Sequence, residues 1–241
     1  MTSHSASLAP DFLNELESAG LETHTDPISR TLYSTDASLY QIRPLGVAFP
    51  RTADHLNTAV ELAAQYSVPI IARGAGSGLA GQSLGQGLIL DCSRHLNKIL
   101  EIDSEAQTAV VQPGMVLDTF NHQVGQHGLQ FGPDPASSER ATIGGALSNN
   151  ATGAHSIQYG MSADHILEAE VVLGDGTQAT FGEISIEQAI HYANNTDPHS
   201  TLYQTALDIR NGYAEIIPQK WAQVWRRASG YSLNYLIPWS A

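Results

Sequence analysis

Apolar positions in the first hundred residues switch between helical and strand spacing. Phe12, Leu13 and Leu16 recur at helical intervals and Gly20 stands where a C-terminal cap belongs, which predicts a helix over residues 11–20. Residues 21–45 follow neither period and carry Thr-Asp-Pro and Tyr-Ser-Thr-Asp turn chemistry, so they read as irregular. Val47 to Phe49, closed by Pro50, reads as a short strand. Leu56, Ala59, Val60, Ala63 and Ala64 then mark one face of a helix capped by Thr52 or Asp54. A β-branched run at residues 68–71, bounded by glycines, is the next strand. Strand, helix and strand in this order have the size of a βαβ unit.

Further on, residues 88–91 read as a strand, and residues 99–102 and 108–112 flank the turn Asp103-Ser-Glu-Ala as a hairpin. Residues 115–127 are helical in pattern, with Val116, Leu117, Phe120 and Val124 on one face and Gly128 after them. A second hairpin is expected from residues 168–173 and 178–181 around Asp175-Gly176. Residues 203–225 return to a helical pattern, broken near Pro218. There is no internal repeat, and mixed helices and strands make the class α+β or α/β.

Composition narrows the function classes. At 241 residues and 42% hydrophobic, the chain can bury a substantial core. A formal net charge of -13 argues against nucleic-acid or anionic-membrane partners, which need basic residues facing phosphates. One cysteine excludes a disulfide framework, a cysteine-rich zinc site and an iron–sulfur cluster within this segment. No apolar run approaches the ~20 residues of a membrane span, and residues 1–10, small and polar, lack the features of a signal peptide. A cytoplasmic protein is expected.

Candidate chemistry concentrates in two glycine clusters. Arg73, Gly74, Ala75, Gly76, Ser77, Gly78, Gly81 and Gln82 form a loop directly after a strand. Its amides can converge on an anion such as a pyrophosphate, with Arg73 and the Ser77 hydroxyl adding charge and a donor. Gly76, Gly78 and Gly81 also spell a dinucleotide-binding fingerprint, but that motif requires a helix at the loop. The next apolar run, residues 88–90, has strand character, so this match is accidental. The second cluster follows Pro133 and includes Thr142, Gly144, Gly145, Asn149, Gly153, Ser156 and Tyr159. It suits either a polar ligand held by backbone or a small-residue helix packed closely on a sheet. Both together suggest one extended ligand held at two ends. The ten histidines show no metal-binding spacing, so no metal site is expected. Cys92 reads as a packed small hydrophobe, and Trp221 and Trp225 as core or interface residues.

These two clusters, the Pro133-Asp134-Pro135 segment and the run ending in Leu173-Gly-Asp-Gly176 resemble the FAD-binding domain of the vanillyl-alcohol-oxidase / p-cresol-methylhydroxylase (PCMH) superfamily. Within it the sequence is most similar to D-lactate, glycolate and D-2-hydroxyglutarate dehydrogenases. Residues 34–41 and 91–97 resemble the long forms, which are fused to an iron–sulfur domain. The likeness spans residues 30–182, and Arg227-Ala-Ser-Gly230-Tyr231-Ser-Leu233 adds a weaker match. The resemblance implies an α+β, two-subdomain FAD-binding fold, truncated at its C-terminal end. Residues 1–29 would be a lead and helix, 30–182 the FAD-binding domain, and 183–241 a helical continuation toward a missing substrate domain.

It further implies that the loop from Gly74 to Gly78, with Gly81 and Gln82, binds the FAD pyrophosphate. Pro133, Thr142, Gly144, Gly145, Asn149, Gly153, Ser156 and Tyr159 would surround the flavin and ribityl chain, with Ile166 near the adenine end. Covalently linked members carry a histidine in or beside the loop. Ser77 and Gly78 stand there, which implies non-covalent FAD. The implied reaction passes a hydride from a D-2-hydroxy acid to flavin. Catalytic and substrate-binding residues, and any iron–sulfur cluster or peripheral membrane contact, would belong to the full-length protein, where the electron acceptor is open. The aromatic crowd of Trp221, Trp225, Tyr231, Tyr235 and Trp239 is expected to pack against the missing part. Two alternatives stay open: another flavoenzyme of the superfamily, such as a peptidoglycan-precursor reductase, and a non-catalytic nucleotide-binding module.

Overall fold

In the computed structural model, residues 7–196, 198–222, 224 and 231–237 are described. The chain divides into two compact units, one of residues 1–165 and 171–178, the other of residues 166–170 and 179–241.

The first unit is built on a four-stranded sheet. Glu22–His24 (β1), Gly46–Phe49 (β2), Ile70–Arg73 (β3) and Leu88–Asp91 (β4) lie in the order β1-β2-β4-β3. β4 runs parallel to both β2 and β3, while β1 pairs antiparallel with β2 at the edge. All four residues of β4 and of β2 are buried, which is why both read as unbroken apolar runs and not as alternation. Strand geometry sends Leu88 and Leu90 to one face and Ile89 to the other. Leu88 and Leu90 join Phe12, Leu16, Ala59 and Ala63 from Pro10–Ser18 (α1) and Ala53–Gln65 (α3). Ile89 packs with Val47 and Phe49, flanked by Tyr33 and Ile71.

Three expectations change here. The βαβ unit forms, but β4 inserts between its two strands, so α3 crosses over a strand that comes later in the chain. Of the two candidate caps for α3, Thr52 accepts the His55 N–H, at 3.2 Å. Residues 21–45 are not wholly irregular: they hold β1 and a short helix, Pro27–Leu32 (α2), whose cap Asp26 accepts from the Ile28 and Ser29 amides. A three-residue edge strand is too short to show a period, and Asp-Pro signals a turn as well as a helix start. Nor is the N-terminal helix a separate lead. Phe12 and Leu16 are fully buried in the first unit, and Gly20, at φ +75°, closes α1 with the Leu21 N–H donating to the Leu16 carbonyl.

A second cluster in the same unit is made by the hairpin Ile99–Asp103 (β5) and Thr108–Val111 (β6), with Leu117–Gly125 (α4) and Ile143–Ser148 (α5). Met115, Leu117, Phe120, Val124 and Ile143 are its buried residues. A four-residue helix, Ser156–Tyr159 (α6), follows. The second expected hairpin forms as Glu168–Val172 (β7) and Gln178–Gly182 (β8), its tip counted with the first unit and its base with the second.

Among the described residues the second unit adds three α-helices, Ile186–Asn194 (α7), Ser200–Tyr213 (α8) and Ile216–Lys220 (α9), and a 3-10 turn at Leu233–Leu236. α7 packs on α8, with the Tyr192 and Tyr203 rings 4.9 Å apart. α7 starts at a capping box of Ser185 and Gln188, whose Ser-x-x-Gln spacing is visible in the sequence. The break placed near Pro218 falls at residues 214–215; Pro218 sits in the first turn of α9, where no intrahelical N–H is required. Trp225, Trp239 and the Arg227 to Gly230 stretch lie outside the described residues.

Candidate functional site

β3 ends at Arg73, and the glycine loop leaves from the carboxyl end of the parallel strands, where open α/β sheets commonly bind ligands. From Gly74 to Leu79 no amide donates a hydrogen bond to another described residue. Such a run of free N–H groups is an anion-binding surface. Gly76 and Gly81 occupy the left-handed region, at φ +65° and +78°, which gives the loop its turns. A Cβ on Gly78 would lie 2.5 Å from Gln82 Nε2, so the Gln82 side chain folds across the backbone there. No helix follows the loop, as the strand character of residues 88–90 required.

The second cluster meets the first. Thr142, only 2% exposed, caps α5 by accepting the Gly145 N–H at 3.3 Å. A Cβ on Gly74 would overlap the same Thr142 hydroxyl, so the loop rests on the start of α5. At the other end of α5, Gln82 Nε2 donates to Asn149 Oδ1 at 2.5 Å. Two stretches sixty residues apart are therefore one surface.

The remaining expected residues divide by what they face. Pro133 and Ser156 are buried, and the Ser156 hydroxyl accepts the Gly153 N–H at 3.0 Å. Gly144 and Gly153 are packing glycines: a Cβ on Gly144 would lie 2.7 Å from Pro113, and one on Gly153 would fall on the Asp134 carbonyl. The Asp134 carboxylate in turn accepts the His155 backbone N–H at 2.8 Å and lies 2.6 Å from its Nδ1. That backbone bond, aided by the imidazole, holds the Asp134 carboxyl below its ordinary value. Ala75, Gln82, Asn149 and Tyr159 are the exposed members. Ile166 is half-buried and belongs to the second unit.

Residues 34–41, which carry part of the resemblance, and the Tyr-Ser-Thr-Asp turn that begins at Tyr33 line the loop. The Ala37 N–H donates to the Gly76 carbonyl at 3.0 Å, and the Tyr40 ring lies so close to Gly81 that a Cβ there would be 2.7 Å from it. The Asp36 carboxylate accepts from the Ser38 N–H at 2.8 Å and the Ser83 hydroxyl at 3.0 Å. Burial works against its charge, but these bonds outweigh it and hold its carboxyl below the usual value. Asp36 in a Ser-Thr-Asp-Ala turn looks like turn chemistry alone; nothing local announces Ser83 as its partner.

Arranged in this way, the surface offers free amides on glycine backbone beside polar side chains, which fits a diphosphate-bearing cofactor. The FAD binding domain family matches residues 44–182, more than half of the chain and the whole of this surface from the loop to Tyr159. The chain belongs to that family. It is 35% identical over 231 residues to a D-2-hydroxyglutarate dehydrogenase of Pantoea ananatis, covering 94% of this chain and 23% of that protein. To the glycolate oxidase subunit GlcD of Bacillus subtilis it is 39% identical over 150 residues, covering 61% of this chain and 32% of the relative. The chain thus spans about a quarter of the D-2-hydroxyglutarate dehydrogenases it matches. Among solved structures, an alkyldihydroxyacetonephosphate synthase superposes with a TM-score of 0.65 at 25% identity, over 76% of this chain and 36% of that one. A xylooligosaccharide oxidase from Myceliophthora thermophila shares the fold, with a TM-score of 0.64 at 22% identity over 74% of this chain and 38% of that one. The α+β fold is that of the PCMH-type flavoproteins, and FAD is the cofactor of this family. Among the described residues no helix is long and apolar enough to cross a membrane, and no group of three metal-ligating side chains converges.

Proposed function

We propose that this chain carries the FAD of an oxidoreductase that oxidises a D-2-hydroxy acid, of the D-2-hydroxyglutarate, glycolate or D-lactate class. The observation that supports it most is the run of unpaired amides from Gly74 to Leu79 resting on Thr142, the place and chemistry that a cofactor diphosphate requires. The names of the D-2-hydroxyglutarate dehydrogenase and glycolate oxidase relatives support a hydroxy-acid substrate. Bound FAD supplies a two-electron acceptor; this chain's residues hold it. The glycine amides would take the diphosphate, and Gly145, Asn149 and Tyr159 would border the flavin and ribityl chain. Pro133, Thr142, Gly144, Gly153 and Ser156 act through packing, by fixing the backbone that does the binding. Attachment is non-covalent: Ser77 and Gly78 offer no nucleophile of suitable basicity, and burial pushes the Cys92 thiol up to about 11. Substrate-binding groups, the electron acceptor and any iron–sulfur cluster belong to other parts of such enzymes, and we place the activity in the cytoplasm.

Titrating the purified chain with FAD and following the visible flavin bands tests the cofactor assignment. We expect a stoichiometric shift in the bands and quenched flavin fluorescence. Persistent absence of bound flavin would favour a non-catalytic module. Dye reduction by the natural polypeptide, offered D-2-hydroxyglutarate, glycolate or D-lactate against NADPH, separates the dehydrogenase from a reductase of the same superfamily.

A further inference from the structure

We infer that Arg73 and Tyr33 are positioning residues for the FAD site: the Arg73 guanidinium fastens residues 33–37 beneath the glycine loop and sets its shape, and does not pair with the cofactor's diphosphate. This rests on the FAD reading above and adds to it.

An arginine at the base of an anion-binding loop would ordinarily be assigned to the anion. Here one donor of each terminal nitrogen is committed elsewhere. Nη2 donates to the Thr35 carbonyl at 2.9 Å and Nη1 to the Tyr33 carbonyl at 3.4 Å. The guanidinium carbon stands 5.1 Å from the centre of the Tyr33 ring, within cation–π range. The same group fills the space under Gly76, where a Cβ would lie 2.6 Å from Nη2. A planar fork reaches the two carbonyls from separate nitrogens while its face lies on an aromatic ring, a geometry that the single nitrogen of an ammonium does not reproduce.

The fastened segment is held at further points. The Tyr33 hydroxyl donates to Asp91 Oδ2 at 2.5 Å, and Asp91 is the residue opposite Arg73 in the β3–β4 pairing. Asp91 is 6% exposed, and its other oxygen accepts the Ser93 amide at 2.8 Å and hydroxyl at 2.6 Å. Burial first, then the bond to Asp91, raises the Tyr33 hydroxyl well above its ordinary value, so it remains a donor. From this base the segment reaches the loop twice, through Ala37 N–H to the Gly76 carbonyl and through Asp36 to Ser83. A glycine-rich loop loses more backbone entropy on ordering than any other, so shaping it in advance lowers the cost of binding.

Three single variants, the Arg73→Gln/Tyr33→Phe double variant and two readouts test this. FAD dissociation constants are measured for the wild-type chain, Arg73→Gln, Arg73→Lys, Tyr33→Phe and the double variant across a range of salt. Both Arg73 variants should weaken FAD by about tenfold, with the salt dependence of binding unchanged, because no ion pair to the diphosphate has been removed. Tyr33→Phe should weaken it by about threefold and add little on top of Arg73→Gln, since both act through one segment. Without FAD, amide hydrogen exchange at residues 33–40 should quicken in Arg73→Gln and in Tyr33→Phe. A flattened salt dependence in Arg73→Gln, with wild-type affinity in Arg73→Lys, would show direct pairing and overturn the inference. So would unchanged exchange at residues 33–40 in both variants. If the wild-type chain binds no FAD, the cofactor reading fails, and the exchange data still decide whether the clamp exists.

Discussion

The two glycine clusters look alike in the sequence and do opposite things in the fold. In the first, glycines at residues 74–81 meet side chains (Thr142, Arg73, Gln82, Tyr40) and leave their amides free. In the second, Gly144 and Gly153 lie against Pro113 and the Asp134 carbonyl, and their amides are taken up by Pro113 and Ser156. One cluster leaves backbone amides without a partner among the described residues; the other lets two stretches of backbone touch. Glycine content alone does not separate these uses. The partner of each missing Cβ does.

The contrast should break most visibly at Gly153. Gly153→Ala places a methyl on the Asp134 backbone, which cannot swing aside, and should cost about 3 kcal/mol or prevent folding. Thermal melting checks it. Gly76→Val should cost less stability, about 1–2 kcal/mol for the left-handed backbone, while weakening FAD by more than tenfold. A variant that loses stability and keeps FAD would reverse the roles assigned to the two clusters. Asn149→Ala removes the acceptor for Gln82 without touching backbone, and FAD affinity should fall by about threefold, read by fluorescence quenching.

Asp134 offers a pH test of the second cluster. Its carboxyl lies below the ordinary value in the folded protein, so the stability it lends is present above that ordinary value and lost as pH falls through the lowered one. Asp134→Asn should therefore lower the melting temperature above about pH 5, where the carboxylate lends its stability, and converge with the wild type as pH falls, so the acid side of the profile flattens. Smallest and opposite in sign is Gly212→Ala, where a Cβ within α8 meets nothing within 4 Å. Helix propensity should raise stability there by about 0.5–1 kcal/mol.

Much of this was legible in the sequence. β2 and β4 are uninterrupted apolar runs, α3 and α4 show clear faces, and the loop's place after a strand pointed to an anion. Three things were not. β1 is too short to carry a period, and the start of α7 rests on a single Ser185-x-x-Gln188 spacing. Arg73 lies in the loop by sequence but faces Tyr33 and Thr35 in space, because a segment forty residues earlier returns beneath it. Which residues of a cluster bind and which brace depends on such returns, and local sequence does not record them.

Hydrogen exchange at individual amides of residues 74–79, with and without FAD, tests the central claim most directly. These N–H groups have no partner within the described chain, so they should exchange fast alone and slow at least tenfold when FAD binds. The amides of α8 serve as an unaffected reference. Binding of FAD with no protection at residues 74–79 would contradict the assignment of this loop to the diphosphate.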